Sequence, residues 1–326
     1  MPARHFSREN KMDYRLDPDL QAFVDRVAAF YPPDTLALPI GDNRRIYDGM
    51  CDALRQPHPE GVSRTDRLAE DSGRRVDVRE YRADAEHRSD RPVILYFHGG
   101  GFILGGLESH DDICAEFCAR TGLSVVSVDY RLAPEHLHPA PFEDALCAFR
   151  WAGRHFDAPL LVVGESAGGN IAACLCHAMR DAAHRTVGQL LIYPAMSVPW
   201  IGESHKRHAR APLLSHDEVK AYDALRSGGV APYDDPRFSP FASGDFRGLP
   251  PTVVFTAEYD PLASEGAAYC EAIGVAGGTA VLEPGEALPH GYLRARGHSA
   301  RASRSFDRIV SQMARLAIGP VFSSAD

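Results

Sequence analysis

The chain reads as an α/β fold, a mostly parallel central sheet with helices on both faces and a helical cap, and three observations predict it. Short β-rich runs alternate with helix-length segments through most of the sequence, the order produced when strands are wound against helices. Two of the runs, VILYF from residue 93 and LLVV at 160–163, are apolar without interruption, as strands buried on both faces are. One connection, residues 196–248, is far longer than an ordinary loop of a compact domain, and such connections are usually lids or binding loops.

Leu16, Leu20, Phe23, Val24, Val27 and Phe30 recur on one helical face, and Asp17-Pro18 supplies a helix start. The rest of the segment to about residue 58 reads as helical or irregular, with a break at Pro32-Pro33. Strand signals follow at 76–82, 93–98, 123–129, 160–164, 189–194, 252–257 and 280–283. Helix signals fall at 111–121, 142–156, 167–181, 262–276 and 299–316. Inside 196–248, Ser215 followed by Glu218 forms a capping box at the start of one further helix. The expected organisation is an N-terminal helical segment, 1–58, contributing to the cap; a first part of the core, 59–195; the cap insertion, 196–248; and the rest of the core, 249–326.

Bulk properties narrow the function. At 326 residues and 44% hydrophobic content the chain can bury a large core. A net charge of −9 argues against nucleic acid and anionic membrane surfaces as partners. No run approaches the roughly 20 apolar residues of a membrane span. The opening MPARHFSREN lacks the apolar core of a signal peptide, so a cytoplasmic address is expected. Seven cysteines without C-x-x-C spacing suggest buried thiols, and neither a metal nor an organic cofactor is expected.

The chemistry is concentrated in two motifs. His98-Gly99-Gly100-Gly101 is a run whose backbone N–H groups can face a ligand. Gly164-Glu165-Ser166-Ala167-Gly168 is a G-x-S-x-G elbow, with a predicted strand before it and a predicted helix after it. Ser166 is the expected nucleophile, at the positive end of a helix dipole that favours an oxyanion nearby. The N–H groups of Ala167, Gly100 and Gly101 are the expected oxyanion hole.

A hydroxyl needs a base to take its proton, and the base needs an orienting acid; after an elbow serine they follow in the order acid, then His. His177 and His184 lie on or just after the elbow helix, and His205, His208 and His216 fall in the long insertion. His290, in a loop beside Gly291, is preferred to His298 at the start of the last helix. Asp260 is preferred as the acid, although Asp260-Pro261 would also suit a helix start, and Glu258 is the alternative.

Six segments in this order, YFHGGGF (96–102), SVDYRLAPE (127–135), GESAGGN (164–170), YP (193–194), EYDPL (258–262) and HGY (290–292), resemble the bacterial hormone-sensitive-lipase-like esterase family of the α/β-hydrolase fold. The resemblance implies a carboxylic ester hydrolase with Ser166, Asp260 and His290 as its triad, the oxyanion hole named above, and a cap. It also implies that Asp129, Arg131, Pro134 and Glu135 are scaffold. Two departures bear on substrate preference: Glu165 stands where many relatives have Asp or Thr, and Tyr292 where Phe is usual. The segment EPGEALPHGY reads as a polar, rather long loop ahead of His290.

The expected function is serine carboxylesterase, hydrolysing small, short-acyl esters through an acyl-enzyme. The substrate is a small-molecule ester, and Phe102, Trp200, Leu214 and Tyr222 are candidate pocket walls. A small-molecule amidase or deacetylase would use the same triad, and a non-catalytic receptor would be expected to lack one of its members. The final helix and the sheet edge are candidate contacts for a homodimer.

Overall fold

A computed structural model of the protein describes residues 14–32, 35–83, 91–182, 185–200 and 202–319; His184 lies outside the described residues. The strands are β1 (Val62–Asp71), β2 (Arg74–Ala83), β3 (Val93–Phe97), β4 (Val125–Val128), β5 (Leu160–Glu165), β6 (Thr186–Ile192), β7 (Thr252–Tyr259) and β8 (Ala280–Pro289). They form one eight-stranded sheet in the order β1-β2-β4-β3-β5-β6-β7-β8. The β1–β2 and β2–β4 pairs are antiparallel and all others parallel. The helices are α1 (Pro18–Ala28), α2 (Ile40–Leu54), α3 (Asp111–Thr121), α4 (Ala140–Phe156), α5 (Ala167–Met179), α6 (Glu203–Arg207), α7 (His216–Ser227), α8 (Ala263–Val275) and α9 (Ala300–Ile318).

Burial on both faces explains the uninterrupted apolar strands. All five residues of β3 are buried. Ile94 and Tyr96 join a core with Leu20 and Phe23 of α1, Phe117 of α3, and Phe306 and Ile309 of α9. Val93, Leu95 and Phe97 point the other way, into a core with Phe149 of α4, Ile171 and Leu175 of α5, and Tyr269 of α8. This is the predicted α/β arrangement, with helices on both faces.

Strand β1 escaped prediction. Its residues, VSRTDRLAED, are exposed almost throughout, so no alternation marks a buried face. Charge pairs hold it instead: Arg67 to Glu80 at 2.5 Å, Asp66 to Arg79 at 2.6 Å, and Arg64 to Asp111 at 2.7 Å. The two-residue turn into β2 is Ser72-Gly73, both at positive φ (50° and 80°), as the tightest hairpin turns require.

The segment before His290 also needs correction. Residues 284–289, expected as loop, belong to β8: Pro284 and Gly285 pair with Thr256 and Ala257 of β7, and the ladder resumes after an irregularity in the register, where Ala287 takes φ 52°. The ladder ends on the pair Tyr259↔Pro289. The next residue on each strand is Asp260 and His290, so this pairing delivers the two side by side.

The N-terminal helices and the long insertion approach the same loop. Arg26 of α1 donates to the Ala53 carbonyl of α2 at 2.7 Å. From α2, Arg44 donates to the carbonyls of Ile103 (2.9 Å) and Ala133 (3.0 Å). Helix α7 begins with the expected capping box: Ser215 Oγ accepts from Glu218 N–H at 3.2 Å, and Ser215 N–H donates to the Glu218 carboxylate at 2.8 Å. Its Tyr222 and Leu225 pack with Ile40 and Tyr47 of α2 around Ile103 and Leu104.

The hairpin turn offers a test free of packing effects, because nothing lies within 4 Å of a Cβ built at Gly73. Gly73→Val is expected to lower the unfolding free energy by about 1–2 kcal/mol, through the left-handed backbone alone. Gly73→Asn is expected to be close to neutral. Urea denaturation of the two variants checks both.

Candidate active site

Strand β5 turns into α5 within one residue. Ser166 sits at that turn with φ 50° and ψ −119°, a conformation that L-residues adopt only under constraint from their surroundings. The constraint is steric. A side chain at Gly164 would run into the backbone of Gly168, and one at Gly168 into the carbonyls of Phe97 and His98 at the end of β3. The Ser166 N–H donates to the Ile192 carbonyl at 2.9 Å, and the Ser166 carbonyl accepts from Ala195 N–H at 3.1 Å.

The side chain of Ser166 meets the residues delivered by β7 and β8. Its Oγ lies 2.9 Å from His290 Nε2, and His290 Nδ1 lies 2.7 Å from Asp260 Oδ2. The second Asp260 oxygen accepts from Leu262 N–H at 2.8 Å, which fixes the carboxylate plane. Asp260 is fully buried and His290 nearly so. The alternatives lie elsewhere. Glu258 is exposed and accepts from Ala287 N–H at 2.7 Å; His298 packs against Phe23 ahead of the α9 cap, Ser299. His177 is wedged between Phe246 and Tyr269.

The glycine run lies beside this chain of hydrogen bonds. Gly100 and Gly101 have φ 128° and 61°, values that favour glycine. Among the described residues, the N–H groups of Gly100, Gly101 and Ala167 have no intramolecular partner. The peptide between Gly99 and Gly100 is held at its carbonyl, 2.7 Å from His98 Nδ1. The His98 ring is itself stacked on Tyr130 at 4.3 Å, and Tyr130 donates to the His98 carbonyl at 2.7 Å. Burial pushes the His98 pKa down to about 3, so the ring is neutral and its Nδ1–H donates.

Of the candidate pocket residues, two adjoin the glycines. A Cβ at Gly101 would come 2.6 Å from the Tyr222 ring. Phe102 is buried beneath the Arg226 guanidinium, which lies 3.9 Å from its ring centre. Trp200 is half-buried and packs against His205 and Phe241, whereas Leu214 is buried just ahead of α7.

The chain matches a family model described as α/β hydrolase fold over residues 94–294. It is 38% identical to the carboxylesterase NlhH of Mycobacterium tuberculosis over 63% of this chain and 68% of that protein. It is 33% identical to the carboxylic ester hydrolase LipN of the same organism, over 85% of this chain and 77% of that one. Among solved structures, an esterase of Pyrobaculum calidifontis aligns with TM-score 0.83 and 29% identity, covering 93% of this chain and all of that one. The chain belongs to the bacterial hormone-sensitive-lipase-like esterase family of the α/β-hydrolase fold. It is a carboxylic ester hydrolase.

One buried group of this esterase stands outside the candidate roles assigned from the sequence. Glu165 Oε2 accepts from Tyr193 Oη at 2.6 Å, and Oε1 accepts from Gly99 N–H at 3.2 Å. His110 Nε2 lies 2.5 Å from the same Oε1 and 3.0 Å from Arg294 Nη2. Burial and then the Arg294 cation hold the His110 pKa below its ordinary value, with the Glu165 carboxylate working the other way. Burial works against the Glu165 carboxylate, but the charge and hydrogen bond of His110, the Arg294 charge and the Tyr193 hydroxyl outweigh it and hold its pKa at about 2. His110 and Arg294 carry no periodic or motif signal in a single sequence; Tyr193 lies in one of the recognised segments without a role attached.

A carboxyl whose folded pKa lies below its ordinary 4.5 stabilises the fold above pH 4.5 and loses that contribution as pH falls toward about 2. Acid titration followed by near-ultraviolet circular dichroism is expected to show a steeper loss of structure in this window for the native esterase than for Glu165→Gln. The variant, lacking the titrating carboxyl, is expected to be the less stable of the two at pH 7.

Proposed function

We propose that this esterase hydrolyses small, short-acyl carboxylic esters by two-step acyl transfer. Ser166 acts as nucleophile, His290 as general base and acid, and Asp260 as the group that orients His290. The observation behind this reading is the unbroken run of hydrogen bonds from Ser166 Oγ through both nitrogens of His290 to a buried Asp260, beside three N–H groups without partners.

His290 takes the Ser166 proton as Oγ attacks the ester carbonyl. The carbonyl oxygen becomes an oxyanion, which the N–H groups of Gly100, Gly101 and Ala167 stabilise without reorganising. The tetrahedral adduct collapses to the acyl-enzyme as His290 protonates the leaving alkoxide. Water, deprotonated by the same ring, then attacks the acyl carbon and regenerates Ser166. Asp260 holds the Nδ1–H tautomer, which leaves Nε2 free to accept, and stabilises the imidazolium formed in each half-reaction.

Residues 196–248 and the N-terminal helices act together as a cap. Support comes from α2 and α7, which both pack on the loop after the glycines, and from the Tyr222 ring against Gly101. In this reading Tyr222 walls the space above the N–H donors and Phe102 backs it, a restriction that favours short acyl groups. Seven free thiols fit a cytoplasmic address. The edge strand β8 and helix α9 offer a surface through which two copies would pair, a point that light scattering resolves.

Hydrolysis of a p-nitrophenyl ester series, acetate to palmitate, tests the reading. Turnover is expected to be fastest for acetate and butyrate and to fall steeply beyond. Ser166→Ala is expected to abolish it, and Asp260→Asn to reduce kcat by about 10⁴-fold. A rate in Ser166→Ala equal to that of the native esterase overturns the assignment.

A further inference from the structure

The proposed nucleophile, the N–H donors and the base come from three separate segments, and productive chemistry requires their relative placement to be held closely. Hydrogen bonds within the triad orient Ser166, His290 and Asp260 toward one another. They do nothing to place the glycine run relative to His290. The backbone contact at Gly168 places the elbow against the end of β3, but leaves the His290 ring free to tilt. Some other group must tie these parts together.

Glu165 reaches each of them, directly or through one neighbour. It is covalently adjacent to Ser166. Its Oε1 accepts from the N–H of Gly99, the residue immediately before the Gly100 donor. Its Oε2 accepts from Tyr193 Oη, and the Tyr193 ring lies 4.8 Å from the His290 ring. Tyr193 is itself constrained: its φ is 36°, its N–H donates to the Phe255 carbonyl at 2.6 Å, and its ring meets Tyr292 at 5.1 Å. Through His110, the carboxylate also faces Arg294, on the chain that leaves His290. Arg294 is further tied to Tyr47 of α2 at 3.3 Å.

We infer that Glu165 is a positioning residue, whose single buried carboxylate sets the glycine-run donors and the His290 ring in register with Ser166. The inference rests on the roles proposed above for Ser166 and His290. An acceptor of four lone-pair directions is required, because three donors converge on it from three elements. An amide at the same place presents one oxygen and one NH2 group. With the NH2 group toward Tyr193 the hydrogen bond there reverses its direction, with it toward Gly99 N–H it meets another donor, and in either orientation the negative charge facing Arg294 is gone.

Steady-state kinetics on p-nitrophenyl acetate test the inference in Glu165→Gln and in Tyr193→Phe, which keeps the ring against His290 and removes only its hydroxyl. In Glu165→Gln, kcat is expected to fall by about 10²-fold, the scale of a small misplacement of reacting groups, with KM within about threefold of native. Tyr193→Phe is expected to show the same split with a loss of about tenfold. Affinity for a trifluoromethyl ketone, which forms the tetrahedral adduct on Ser166, is expected to fall in parallel with kcat/KM.

A kcat within twofold of native in a folded Glu165→Gln overturns the inference, as does a loss confined to KM. If Glu165→Gln does not fold, Tyr193→Phe decides, and an unchanged kcat there overturns it. Ser166→Ala runs alongside: activity surviving in that variant removes the proposed triad itself, whereas an inactive Ser166→Ala with a fully active Glu165→Gln removes only the positioning role.

Discussion

The close approach of the β5–α5 turn to the end of β3 is the contact on which the rest of the site depends. Gly168 lies against the carbonyls of Phe97 and His98, and Gly164 against the backbone of Gly168. Bare backbone at these two positions lets a strand reverse into a helix around Ser166 at φ 50°. The same contact sets the distance from the serine to the glycine run, because that run begins one residue after His98. A methyl group at Gly168 would displace both together. Strand β3 is central, buried on both faces and paired on both sides, so the reference point for the site is among the least deformable parts of the molecule.

What was legible in the sequence follows from where the physics is local. The apolar runs of β3 and β5, the capping box of α7 and the glycines of the elbow each express a constraint within a few residues. The triad candidates also meet as expected, because the order of serine, acid and histidine follows the order of the strands. Strand β1 was hidden since both its faces are exposed and its support is a ladder of ion pairs with residues of β2 and α3. The end of β8 was hidden for a different reason: a proline, a glycine and a residue at positive φ interrupt its pattern. Glu165, His110 and Arg294 meet only in three dimensions.

Buried charge recurs where α7 meets the segment after the glycine run. Arg226 of α7 lies between the rings of Phe102 and Phe238, 3.9 Å from the centre of each. Burial lowers its pKa to about 10, with the Asp223 carboxylate working the other way, so it remains a cation at neutral pH. Removing such a group from water costs several kcal/mol, which ring faces and carbonyls offset only when all of them are in place. Arg226 also donates to the carbonyls of Arg237 and Phe238, and Asn170 of α5 donates to the latter at 3.0 Å. Helix α7, the residue after the glycine run and the elbow helix are therefore joined through one cation. An apolar contact would be cheaper to make, but it would slide more readily.

The pairing that ends at Tyr259↔Pro289 brings His290 to Ser166, 124 residues earlier in the chain. Ser166 and all three N–H groups follow strands at or before β5, while Asp260 and His290 follow the last two strands of the sequence. Contacts between segments so distant in sequence close late, because the loop entropy must be surrendered before they form. With the roles proposed above, a refolding chain in which these contacts close last would hold its N–H donors and its serine before its base. Return of hydrolysis would then mark the docking of an edge strand rather than the collapse of the core, and the catalytic assay would double as a clock for that step.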